Sequence, residues 1–108
     1  MSTKSKKTKQ KSINQLIDTL LATNLYNPQL VENTNRELNT HIYQHLRKNK
    51  NDSNYHTYEK IKVITDQLAI LAHAAITQTV IVRTMSNKQF ESIQKELRQL
   101  KNKLKHSK

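Results

Sequence analysis

Between Ser12 and Thr23 the apolar residues Ile13, Leu16, Ile17, Leu20 and Leu21 recur at intervals of three and four, the period of a helix that buries one face. Ser12 followed by Gln15 has the spacing of a capping box, which predicts a first helix from about Ser12 to Thr23. Asn27 then Pro28 marks a second start, because proline is tolerated where a helix has no use for the N–H. Val31, Thr34, Leu38, Ile42 and Leu46 form one stripe that carries this helix to about Lys48. The polar run Asn49 to Asn54 reads as a loop. A third helix is expected from Tyr55, with Tyr58, Ile61, Ile64, Leu68, Leu71, Ala72, Ala75 and Ile76. It is the most apolar element and the expected centre of the fold. Ser86 and Gln89 repeat the capping spacing, and Phe90, Ile93, Leu97, Leu100 and Leu104 follow as an a/d seam of just over two heptads. The seam predicts a coiled-coil-like last helix, used either for self-association or for packing back on the body. In the first case Glu96 at g and Lys101 at the next e attract across a parallel dimer.

One stretch departs from the helical pattern. Thr77, Thr79, Val80, Ile81, Val82 and Thr84 are β-branched and favour strands, so a short strand near 79–85 stands as the alternative to helix. Val80 to Met85 followed by a helix from Asn87 resembles the strand and first helix of ribbon-helix-helix DNA-binding proteins. The resemblance implies that paired strands enter a major groove, presenting either Val80, Val82 and Thr84 or Ile81, Arg83 and Met85. It covers under a third of the chain, and the residues after it supply no second helix of the kind that family needs.

The chain of 108 residues has no glycine and one proline, and so lacks the residues that turn hairpins sharply. The expected fold is all-α: a small bundle of about four helices over residues 12–94, a disordered arm over 1–11, and a basic end of the last helix with its tail over 95–108. Apolar residues make up 34% and charged residues 25%, so the core is modest and a second copy or a protein partner is expected to complete it. The apolar run from Leu68 to Ile76 is interrupted by His73 and falls far short of the roughly 18 residues that a membrane span needs. No cysteine is present, which removes thiolate catalysis and cysteine metal sites and is compatible with a reducing, intracellular setting. The first residues lack the short apolar core of a signal peptide, and their lysines without arginine depart from the usual transit peptide.

Charge changes the picture most. Of a net +11, Lys4, Lys6, Lys7, Lys9 and Lys11 lie in residues 1–11 with no acid among them. Residues 95–108 carry Lys95, Arg98, Lys101, Lys103, Lys105 and Lys108 against Glu96, while the middle is almost neutral. Two cationic arms on a neutral body, with a third cluster at Arg47, Lys48 and Lys50, point to a polyanion. An arm of this length reaches roughly 36 Å when extended. Five lysine–phosphate contacts, at a slope of about 0.9 each, predict a loss of several hundredfold in affinity between roughly 50 and 200 mM salt. With 15 Lys among 19 basic residues, phosphate contact is expected more than base readout, because the bidentate fork that reads guanine belongs to arginine.

The remaining chemistry is sparse. Glu37, His41 and His45 are spaced by four, a zinc-like spacing that equally describes an ordinary helix pair with no fourth ligand; no metal or other cofactor is expected. His73 sits in the most apolar segment and is expected to be a core histidine bonded to a neighbour. Tyr26, Tyr43, Tyr55 and Tyr58 are candidates for stacking on bases or for closing the core edge, and Tyr55 and Tyr58 follow the Arg47 to Lys50 cluster. No nucleophile, base and oxyanion set is visible, so a non-enzymatic nucleic-acid binder of low sequence specificity is expected, as in a compacting, ribonucleoprotein or virion-core component. The alternatives are an assembly or adaptor protein that uses the 90–104 seam, with the arms only solubilising, and a protein of anionic membrane surfaces.

Overall fold

The computed structural model describes residues 12–106, with side chains from Ser12 to Leu104. Four α-helices make up this region: α1 Ile13–Ala22, α2 Pro28–Lys48, α3 Tyr55–Ala75 and α4 Val80–His106. Short connections make sequential helices antiparallel neighbours. α1 also packs on α4, where Asp18 is ion-paired with Lys101 and Gln94 reaches the C-terminal end of α1. The result is an up-down-up-down bundle closed by its first and last helices. The lysine arm expected over residues 1–11 lies outside the described residues.

The apolar stripes converge as their periodicity requires. Leu16, Ile17 and Leu20 of α1, Val31, Leu38 and Ile42 of α2, and Ile61, Leu68 and Ala72 of α3 are all buried. Phe90, Leu97, Leu100 and Leu104 of α4 join the same core, with Ile93 packed against it. The residues expected as an oligomer seam are therefore occupied within the chain, and a dimer through them would require the bundle to open. Lys101 is likewise paired inside the chain, with Asp18, where the heptad register had offered Glu96 of a second copy.

A glycine-free chain must end its helices without the left-handed residue that commonly closes them, and no described residue has positive φ. Side chains take over that task. Gln94 Nε2 donates to the carbonyls of Leu20 and Thr23 at 2.8 and 2.9 Å, closing α1. Asn49 closes α2 by donating both its backbone N–H and its Nδ2 to the His45 carbonyl. Arg83 closes α3, donating from Nε to the Ala75 carbonyl at 3.1 Å and from NH2 to the Gln78 carbonyl at 2.8 Å. The start of α1 carries the expected capping box, with Ser12 and Gln15 each bonding the other's backbone N–H.

The stretch that favoured a strand is helix, and no strand occurs among the described residues. α4 begins at Val80 rather than near Ser86: Thr79 accepts from Arg83 N at its carbonyl and from Val82 N at its hydroxyl. Ser86, expected as a cap, lies within the helix and donates to Gln78 Oε1. The reason is energetic. Helix costs a β-branched residue a few tenths of a kcal/mol, whereas a strand here would lack a partner edge and forfeit the Arg83 bonds. The ribbon-helix-helix likeness fails at this strand.

Candidate nucleic-acid interface

The antiparallel order decides which basic segments meet. α1 begins, α2 ends, α3 begins and α4 ends at one end of the bundle. Ser12, from which the 1–11 arm departs, therefore shares that end with Arg47, Lys48 and Lys50 and with the last turns of α4, which carry Lys101, Lys103 and Lys105. Two basic segments far apart in the chain, and the first described residue after the lysine arm, thus share one end. Arg47, Lys48, Lys50 and Lys103 are exposed. Lys101 is largely covered and held by Asp18, so part of its charge is already answered. Lys4, Lys6, Lys7, Lys9 and Lys11 and the side chain of Lys105 lie outside the described residues.

Between the end of α2 and the start of α3 runs an open groove. Its walls include Tyr43 and Arg47 on one side and Tyr55 and Lys62 on the other, with Lys50 at the connection and Leu46 and Glu59 completing it. The two tyrosines are 57% and 37% exposed, and neither belongs to the buried core. The Arg47 guanidinium lies 5.8 Å from the centre of the Tyr43 ring, within cation–π range. Tyr58 takes the other role weighed for it: it packs against the core with its ring centre 5.0 Å from that of His45. Burial first, and the nearby Asp52 charge second, push its hydroxyl above the usual 10.0.

The connection under this groove is tied down. His45 Nε2 lies 2.6 Å from Asp52 Oδ2, and Asp52 Oδ1 accepts from Asn54 N at 2.7 Å. These bonds, the backbone one foremost, hold the Asp52 carboxyl below its usual 3.8. His45 is thus turned to the loop, while His41 faces Glu37 at 3.9 Å. No group of three potential metal ligands occurs among the described residues. His73 is not a core residue: its side chain is exposed, with Nδ1 2.8 Å from Glu32 Oε2, linking α3 to α2. Its position in an apolar run had suggested burial, but the run covers more than one face of α3. Midway along the same pair, Asp66 Oδ1 accepts from both Asn35 and Asn39 Nδ2 at 2.9 and 3.0 Å, a polar link that no local spacing announces.

The opposite end of the bundle is different in kind. Across residues 70–87 the only lysine, arginine or carboxylate is Arg83, already spent on α3. Around it Val80 and Ile81 are 74% and 76% exposed, and Ile70, Ile76 and Met85 are also open to solvent. No described helix is long and apolar enough to cross a membrane. No protein-family model, curated protein or solved structure gives a significant match to this chain.

Proposed function

We propose that this protein binds nucleic acid without catalysis, through the phosphate backbone and with low sequence specificity. The observation that carries the reading is the convergence of the Arg47 to Lys50 cluster, the cationic end of α4 and the attachment point of the lysine arm at one end of the bundle. Had the helices run otherwise, these charges would be dispersed and each would be no more than a solvated surface. Gathered together, they raise the local potential and release several counterions on meeting a polyphosphate. A role in compacting nucleic acid, or in a ribonucleoprotein or virion core, follows from this chemistry. The test is binding to fluorescent duplex DNA, single-stranded DNA and RNA over a salt series. Affinity falls steeply with salt, and deletion of residues 1–11 lowers the log–log slope by about 4.5 if each of five lysines contributes ~0.9. Absence of binding at about 50 mM salt would remove the proposal.

A second reading has its own observation. The charge-poor end with exposed Val80, Ile81 and Met85 favours an assembly or adaptor role, because grouped exposed apolar residues mark association surfaces. It moves that role away from the 90–104 seam. Contact with a second copy through this end keeps the two basic ends apart, the arrangement that costs like-charged chains least. Sedimentation of the intact protein against Ile81→Lys tests it: a dimer that the substitution dissolves supports the reading, and a monomer at high concentration opposes it.

A further inference from the structure

We infer that the groove between Tyr43 and Tyr55 is a stacking site for an unpaired base, so that the nucleic acid preferred by this protein is single-stranded. The inference rests on the nucleic-acid reading above and goes further, because phosphate contact alone does not distinguish one strand from two. Tyrosine is amphipathic and normally finds cover for its ring. Here two rings from different helices remain exposed on the walls of one groove. Three cations, Arg47, Lys50 and Lys62, line the same groove against a single carboxylate, Glu59. Cations by themselves would serve any polyanion. Rings by themselves would serve any apolar surface. Their combination suits a chain that alternates phosphates with flat aromatic faces, and only a single strand offers its base faces freely.

The local structure also prepares the site. Arg47 and Tyr43 are one helical turn apart on α2, and the guanidinium already lies near the ring at 5.8 Å, so stacking plane and charge are presented together. Tyr55 stands at the first position of α3, and the connection leading to it is held by Asp52 through His45 and the Asn54 N–H. Its backbone is therefore placed before any ligand arrives, which lowers the ordering cost of binding. The basic segments that would carry the flanking phosphates emerge from this same end of the bundle.

The probes are a fluorescent oligothymidylate, an abasic strand of equal length and a duplex, each titrated with the full chain at low salt. The abasic strand keeps the phosphates and removes the faces that stack. Oligothymidylate is expected to bind about tenfold tighter than the abasic strand, the scale of one stacked base. Tyr43→Leu and Tyr55→Leu each shrink that ratio towards one, whereas Tyr55→Phe retains it. Both tyrosines are exposed, so the leucine variants keep their fold, which circular dichroism verifies. Because the chain has no tryptophan and four tyrosines, quenching of intrinsic tyrosine fluorescence by oligothymidylate, weakened in the leucine variants, reports the stack directly. Equal affinity for thymidylate and abasic strands, or a ratio indifferent to both leucine substitutions, overturns the stacking site while leaving phosphate binding intact. Failure of all three probes to bind removes the underlying reading as well, and so does displacement of every probe by anionic phospholipid vesicles at lower concentration.

Discussion

At the residue scale, the most consequential side chain is Arg83. Its guanidinium bonds carbonyls at and just beyond the end of α3 from the first turn of the next helix, so it fixes the corner between them. Removing it in Arg83→Ala takes the side-chain donor from the Gln78 carbonyl and leaves the Ala75 carbonyl with Gln78 N alone, and a loss of about 1–3 kcal/mol in urea unfolding is expected. Arg83→Lys recovers little of this, because an ammonium cannot reproduce the planar fork that spans two carbonyls. Asp52 provides a pH-dependent counterpart. Its carboxyl is held below the usual 3.8 by the Asn54 N–H and His45, so its ionised form is favoured in the folded state. A depressed folded pKa contributes stability that is complete above the unfolded value and is lost as pH falls through the folded one. Wild type is therefore expected to exceed Asp52→Asn in urea midpoint above pH 3.8, with the difference shrinking on further acidification.

At the element scale, α4 decides the architecture. It spans about 40 Å at 1.5 Å per residue, and its apolar stripe closes the bundle against α3 and α1. A heptad stripe is ambiguous by itself, since the same spacing serves a partner helix or the chain's own core. Burial resolves the ambiguity in favour of the core: Leu97 is fully covered within one chain. Leu97→Ala is expected to cost about 2–5 kcal/mol of folding stability, the range for a truncated core leucine. That loss appears at protein concentrations low enough to exclude association, the condition that separates a core residue from an interface residue. The same helix explains why the cap at Ser86 was misleading. Its spacing with Gln89 is sound locally, but Thr79, the Arg83 bonds and the packing of α4 on α3 extend the helix upstream.

At the scale of the whole molecule, the bundle is polarised, with clustered cations beside Tyr43 and Tyr55 at one end and exposed aliphatic residues, with Tyr26, at the other. Changes at the two ends should therefore separate. Arg47→Glu combined with Lys50→Glu reverses two charges at the basic end and is expected to weaken nucleic-acid binding at least tenfold at low salt, since each lost phosphate contact also lowers the salt slope by ~0.9. Ile81→Glu places one negative charge at the far end, beyond a Debye length of about 10 Å at 0.1 M salt, and is expected to leave that affinity unchanged. Fluorescence anisotropy of both variants beside wild type measures the contrast, and equal weakening by the two would argue against a localised interface.

Much of this was legible in the residue order, because the signals involved are local. The 3.6-residue stripes, the Ser12 and Gln15 box and the Asn27–Pro28 start depend on neighbours within a turn or two, and they place α1, α2 and α3 nearly to the residue. The absence of glycine, together with the helical stripes, determined an all-α chain, and the distribution of lysine determined where its charge is concentrated. What required the tertiary structure was every property carried by pairs distant in the chain. Gln94 closing α1, Asp66 binding α2 and Lys101 held by Asp18 join residues 27–83 positions apart, and no periodicity encodes such partners. The helical fate of Val80 to Thr84 belongs with them, since intrinsic preference there is worth tenths of a kcal/mol and packing outweighs it. So does the candidate interface itself: the Arg47 to Lys50 cluster, the end of α4 and the start of α1 share one side only because antiparallel packing brings alternate helix ends together.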